Sequence, residues 1–166
     1  MACGGSSGRP GVTYRARAPL DEGAEPEVTG HVDFTRTNVT TGAITHYRYS
    51  VSAIMRDGTV SGEFEEHIDL PSGIMQDSHA MVTCVTIEAD GRTARVGGVV
   101  DRATPALPEG TEGWLTVQDN GEGANDPPDR ASAANAGMAG SAEFHCLTGF
   151  NRTLTPIEHG NIQVRP

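Results

Sequence analysis

The stretch that decides the fold is ITHYRYSVSAIMRDGTVSGEFEEHIDL, Ile44 to Leu70. Asp57-Gly58 sits at its centre, and Asp-Gly supplies the positive φ angles that a tight primed hairpin turn needs. On the incoming side, Tyr47, Tyr49, Val51, Ala53 and Met55 alternate with His46, Arg48, Ser50 and Ser52. On the returning side, Val60, Phe64, Ile68 and Leu70 share a face with Glu66, and Ser61, Glu63, Glu65, His67 and Asp69 share the other. This period of two is that of a strand with one face towards a core.

The same grammar recurs outward from that hairpin. Val28, Val32 and Phe34 oppose Thr29, His31, Asp33 and Thr35, and Thr40-Thr41-Gly42 makes the turn between the two segments. Pro71-Ser72-Gly73 ends the returning strand, and a short variable stretch with Met75, Asp77 and His79 follows. Met81 to Glu88 is apolar on both faces, as in a strand covered on each side. Ala89-Asp90-Gly91-Arg92 is a second Asp-Gly turn, leading into Thr93 to Arg102. Gly97-Gly98 inside that strand predicts a bulge, a bend or a close backbone approach. Trp114 to Gln118 reads as a further strand, Ala131 to Ala142 as a short helix or an insertion, and Glu143 to Leu147 as a strand again. Pro156 to Val164 gives a turn and a last short strand. The expectation is an all-β domain, an antiparallel barrel (calycin-like or similar) of about eight strands, with a β-sandwich as the alternative. Residues 1–26 lack periodicity and read as a flexible leader or tether, and 27–166 read as the single domain.

Composition agrees. In 166 residues there are 21 Gly and 10 Pro, aromatics are 5%, and the net charge is −10. Gly and Pro at that density suit turns rather than helices. The acidity excludes a phosphate-binding basic face, and with it nucleic acid, and disfavours an anionic membrane surface. No apolar run is long enough for a transmembrane helix.

Three groups of residues are candidates for function. The loop Asp119-Asn120-Gly121-Glu122-Gly123-Ala124-Asn125-Asp126-Pro127-Pro128-Asp129 offers Asp119, Asn120, Glu122, Asn125, Asp126 and Asp129 as oxygen ligands of a hard cation, Ca²⁺ being the candidate cofactor. Its spacing is not that of an EF-hand, and the same side chains can instead cap the turn's own amides. The strand face Glu63, Glu65, His67 and Asp69, opposite His46 and Arg48, holds the material of general acid–base catalysis at a barrel mouth. Alternating charge of this kind is also what a solvent-facing strand shows. Glu66, on the apolar face, must pair with a base such as Arg48 or sit at a bulge that turns it outward, because an unpaired buried carboxylate is costly. The six histidines show neither HxH nor HExxH spacing, and zinc through His145 and Cys146 would need long-range assembly. No Gly-x-Ser-x-Gly elbow marks a nucleophile.

Ala2-Cys3-Gly4-Gly5-Ser6-Ser7-Gly8 resembles the residues around a bacterial lipoprotein cleavage site, which makes Cys3 a candidate for lipidation and the only route to a membrane. Cys84 and Cys146 are then an even pair, a disulfide in an oxidising compartment, with a buried free thiol at Cys84 as the other reading.

Val82-Thr83-Cys84, Ala94 to Val100, the Asp119–Asp129 loop and the closing Ile157-Glu158-His159-Gly160-Asn161-Ile162-Gln163-Val164 resemble, in that order, a family of uncharacterised secreted or lipoprotein-type bacterial proteins found in actinobacteria. The resemblance runs from about Thr29 to Val164, and the loop and the closing phrase are its most specific parts. It implies an exported bacterial β-domain, at the cell surface or secreted, and no catalytic residue. The stretch Ala131 to Met138 is less apolar than the family pattern after the loop. Three functions are therefore expected as alternatives: a module binding a small ligand or a protein partner, a small barrel hydrolase, isomerase or cyclase, and a calcium-stabilised structural module.

Overall fold

A computed structural model describes residues 25–150 and 153–166. Cys3 and the leader up to residue 24 lie outside the described residues. The strands are β1 (Glu27–Thr37), β2 (Ile44–Arg56), β3 (Thr59–Asp69), β4 (Met75–Ile87), β5 (Thr93–Thr104), β6 (Glu112–Gln118), β7 (Arg130–Ala131), β8 (Asn135–Gly137), β9 (Thr155–Pro156) and β10 (His159–Arg165), and the helix is α1 (Ser141–Thr148). The protein is all-β. Among the described residues one antiparallel sheet runs β10-β1-β2-β3-β4-β5-β6-β7-β9, with β8 paired to β6. The path ends at β10 on one side and β9 on the other, so no ladder closes it.

The sheet nevertheless curls round a single core. Val28, Val32, Phe34, Val51, Phe64, Ala80, Val85, Val96, Leu115, Val117 and Ile162 come from seven strands and pack as one cluster, which a flat sheet cannot arrange. Each such side chain contributes roughly 1.5–3 kcal/mol by leaving water. Phe34 stacks on Tyr47 with centroids 5.2 Å apart and meets Tyr49 edge-on at 6.1 Å.

Both Asp-Gly turns form. Asp57 and Gly58 take φ of 50° and 74°, the positive pair of a primed turn. Register is continuous from Ile44 against Thr37 to Arg56 against Thr59. The Gly97-Gly98 pair marks both a bulge and a close approach. Opposite it, β4 slips register between Val82 and Cys84. A Cβ on Gly98 would stand 2.2 Å from the Met81 carbonyl oxygen, and one on Gly97 would stand 2.8 Å from the Ala142 side chain of α1.

Three expectations are corrected. Glu143 to Leu147 is not a strand but the body of α1. Ala142, His145 and Cys146 are its buried residues, spaced three and four apart as on a helix face, while Phe144 and Leu147 stay exposed. Gly140 and Gly149 flank it in the left-handed conformation, which glycine adopts without steric cost. Ala131 to Ala142 is neither helix nor simple insertion: it holds β7, β8 and the first two residues of α1. And β4 starts at Met75, so Asp77 and His79 belong to a strand.

Helix α1 is fixed to the outer side of β4–β6. Cys84 and Cys146 are disulfide-bonded with Cα atoms 6.3 Å apart. His145 is 1% exposed; its Nδ1 faces the Phe150 carbonyl at 3.0 Å and its Nε2 faces the Thr116 hydroxyl at 3.0 Å. Burial pulls its pKa down, and Nε2 also lies 3.1 Å from the Leu115 carbonyl, so both ring nitrogens are engaged within the fold. His145 and Cys146 are therefore committed to packing and not to zinc.

The bridge spans a sequence separation of 62, and a loop of that size is worth about 4 kcal/mol in the chain-entropy account. We expect the Cys84→Ala/Cys146→Ala variant to lose stability of that order in urea titrations, with the wild type under reductant behaving alike.

Candidate functional site

Strand register builds the site. On the face turned away from the core, one row across β1 to β5 reads Asp33, Arg48, His67, Asp77, Thr104, and the next reads His31, Ser50, Glu65, His79, Arg102. Residues opposite one another on adjacent strands have Cβ atoms ~4.5–5.5 Å apart, so these rows are continuous polar surfaces. All of these residues except Asp33 line an open cleft of about 600 Å³. Tyr49, Glu66, Ser78 and Ala103 also border it. They alternate with the wall residues along their strands, so they offer backbone to its floor and turn their side chains to the core side.

Three histidines of this face, His46, His67 and His79, are held between carboxylates. His46 Nε2 lies 2.5 Å from Asp33 Oδ1, and its Nδ1 lies 3.5 Å from Asp69 Oδ2. His67 bonds Asp77 through Nδ1, and its Nε2 is 3.1 Å from Asp69 Oδ1. His79 Nδ1 is 2.5 Å from Asp101 Oδ1, and its Nε2 is 3.2 Å from Glu63 Oε2. Arg48 Nη2 adds a 2.8 Å contact to Asp69. Burial alone would raise the Asp69 pKa, but Arg48, His67 and His46 outweigh it and hold the carboxyl below its ordinary value. The hydrogen bond that His79 donates to Asp101, aided by Glu63, raises the His79 pKa although burial opposes it. Asp101 reaches His79 because register shifts between His79 and Ala80: Ala80 pairs Val100 while His79 pairs Arg102. The extra residue of such a bulge re-aims a side chain.

Of the expected acid–base set, His46, Arg48, Glu63, Glu65 and His67 do share one face, but it is the outer face of the sheet and not a barrel mouth. His67 is oriented by Asp69 and Asp77, not by Glu63 or Glu65; Glu63 serves His79. Asp33, Asp77, His79 and Asp101 escaped the sequence reading as site residues, whereas Asp69 belongs to the polar strand face read there with Glu63, Glu65 and His67. For Asp77 and His79 the signal was present, as alternation from Met75 onward.

Glu66 does neither of the things expected of it. It stays on the core side opposite Tyr49 and Ser78, and Arg48 turns to the other face. Ser78 Oγ is 3.4 Å from Glu66 Oε2, too long to compensate for burial. Desolvation pushes the Glu66 pKa up to about 7, and burial with the nearby Glu66 raises that of Tyr49 well above normal.

The acidic loop has a different geometry from a cation cage. Asp119 accepts from Gly121 N (2.8 Å) and Val164 N (3.1 Å). Asp129, 5% exposed, accepts from Asn120 N (2.8 Å) and Ile162 N (2.7 Å). Asp126 accepts from Gly123 N at 2.7 Å, and Asn120 Nδ2 donates to the Pro128 carbonyl at 2.7 Å. Glu122 Oε1 accepts from Gln163 (2.8 Å) and Asn161 (3.0 Å), and these bonds lower its pKa. Asn125 is exposed. The loop thus fastens β10 along the side that no strand covers. Among the described residues, no three His, Cys, Asp or Glu side chains are grouped so as to hold a metal ion.

Comparison of the chain with protein families, with curated proteins and with solved structures returned no match.

Two outcomes follow from these geometries. Removing the Asp129 carboxylate strands two amides, one of them on β10, at about 1–3 kcal/mol each. Asp129→Ala should lower the melting temperature accordingly, and equally in calcium and in EDTA; a calcium-dependent difference would return the loop to the cation sites. For Glu66 the sign is fixed by its raised pKa. Below the ordinary carboxyl value of 4.5 both folded and unfolded chains are protonated there, and no charge is buried. Between 4.5 and about 7 only the unfolded chain loses the proton, so stability falls, and above that range the loss is constant. Glu66→Gln should match the parent at pH 4 and exceed it at pH 8 by up to ~3 kcal/mol, as read by chemical denaturation at the two pH values.

Proposed function

We propose that the chain is an exported β-domain that binds a small polar ligand in the outer-face cleft and does not transform it. One observation carries this reading. His46, His67 and His79 each have both ring nitrogens against carboxylate oxygens, so none of these three has a nitrogen left to take a substrate proton, and His31, the other histidine of the cleft, has no carboxylate beside it among the described residues to orient it as a base. Catalysis by His67 with Glu65 or Glu63 would need such a nitrogen within hydrogen-bond reach of the substrate. The arrangement instead fixes five strands in register and leaves a concave polar surface, which is the form of a binding site. Export is supported by the bond between Cys84 and Cys146, since disulfides persist in oxidising compartments, and by the family resemblance. A lipid on Cys3 completes the same reading, with the leader as tether.

The test is amide chemical-shift mapping of the ¹⁵N-labelled protein against a panel of polar metabolites. Ligand-dependent shifts should cluster at 48–50, 65–67, 77–79 and 102–104, and Ser50→Trp, which fills the cleft, should abolish them. Product formation from any panel member, lost in His67→Ala, would replace the binding reading with the enzymatic one. For export, thiol alkylation without reductant should leave Cys84 and Cys146 unmodified in protein sent through its own secretion route; modification of both would place the folded domain in a reducing compartment.

A further inference from the structure

The cleft's ligand chemistry can be read by setting aside every charge already matched within the protein; the step rests on the binding proposal above. His67 and Asp77 are bonded to each other, with Asp69 on the far nitrogen of the ring, and His79 is taken by Asp101 and Glu63. Glu65 is not matched. It is exposed at the middle of its row, opposite Ser50 and His79, and no hydrogen bond or ion pair to it occurs among the described residues. Two cations are also incompletely used. Arg102, 69% exposed, comes no nearer to Asp101 than 4.0 Å. Arg48 engages Asp69 through Nη2 alone, and with its Nε buried it has the remaining terminal N–H donors to offer.

These groups are separated across the cleft. Glu65 is on β3 and Arg102 on β5, two strand spacings or roughly 10 Å apart at the backbone, and the long arginine stem shortens that gap at the side-chain level. A purely anionic ligand would meet Glu65 and a chain of net charge −10. A purely cationic one would meet two guanidinium groups. A ligand with both charges, a few ångströms apart, is attracted at each end. Arginine's planar fork also matches a carboxylate in two-point contact, which an ammonium cannot offer.

We propose that the cleft binds a small zwitterion of amino-acid or dipeptide size, its ammonium on Glu65 with the Ser50 hydroxyl beside it, and its carboxylate on Arg102, with Arg48 bordering the same space. The selectivity is a difference of two charge contacts, so it can be dissected one end at a time.

The probes are the free amino acids and a set of dipeptides, each accompanied by its N-acetyl, C-amide and doubly blocked forms, titrated to tens of millimolar against the ¹⁵N-labelled protein. The expected result is that at least one free zwitterion shifts residues 65–67 and 102–104 and binds about tenfold or more tightly than either of its singly blocked forms. Glu65→Gln should erase the preference over the N-acetyl form, and Arg102→Gln the preference over the amide. Both side chains are exposed, and unchanged melting curves would show the variants folded. A singly blocked form that binds as well as the zwitterion overturns the inference and leaves the cleft as a binding site. If no zwitterion shifts the cleft residues, the inference is again overturned; the metabolite panel above then decides the wider reading by itself.

Discussion

The structure depends on what becomes of the β10 amides that face away from β1. A curled sheet that does not close leaves a row of backbone donors at its seam, and buried donors without acceptors cost as much as the hydrogen bonds they lack. Here the acceptors are carboxylates. Asp129 takes Ile162 N, Asp119 takes Val164 N, and Glu122 takes the side-chain amides of Asn161 and Gln163. The peptide units of the next turn assist, with Ile157 N on the Asp129 carbonyl and Glu158 N on that of Asp33. An acidic side chain is well suited to the task, because it accepts several donors at once and makes stronger bonds to N–H than a carbonyl does. It also covers an edge that would otherwise invite another strand. The core strands Val28 to Phe34 and Ile162 to Val164 can then pack as if the barrel were complete.

That closure leaves the two faces of the sheet with opposite chemistry. Inside, burial raises the pKa of the Glu66 carboxyl to about 7 beside the Tyr49 phenol, and Glu66 weakens the fold as the pH rises. Outside, carboxylates are many and the histidines are distributed among them, each tying together strands that the backbone ladders already join. Cross-strand ion pairs at an exposed surface are individually weak, of order 0–1 kcal/mol. A row of them across five strands contributes more to register than to stability, since a one-residue slip would face every histidine with the wrong neighbour. The bulge at Asp101 belongs to this logic: without the extra residue, His79 would have a carboxylate on one side only.

Much of this was legible in the sequence and some of it was not, for a physical reason. The Asp57-Gly58 hairpin specifies its own turn, and its alternation specifies which residues face the core, so β2 and β3 are local statements. The outer-face residues Glu63, Glu65 and His67 were equally visible, because alternation names a face. Alternation does not name partners. Asp77 and His79 meet His67 and Glu63 through β4, whose start at Met75 lies in a stretch of mixed character, and Asp101 arrives only through a register shift. In α1 the pattern misleads outright: Phe144 and Cys146 alternate with Glu143 and His145 over too few residues to separate a period of two from one of 3.6. The decisive signs are Gly140 and Gly149 at its ends, together with the packing of Ala142 against Gly97 and the bond from Cys146 to Cys84.

The acidic loop shows how one composition supports two readings until geometry intervenes. Asp119, Glu122, Asp126 and Asp129 are the right side chains for a hard cation, and a cage would turn several of their oxygens towards one point. In the structure they turn outward from one another, each to a different backbone or amide donor. The loop and the closing segment Ile157 to Val164 are the two sides of this seam and are bonded to each other. A loop that must present carboxylates at fixed intervals along a strand edge has the same need for stiffness as a metal site. Asp129 is held where it can reach Asn120 and Ile162 together by the Pro127-Pro128 segment before it and by β7 after it, so the prolines and glycines of the loop are accounted for without an ion.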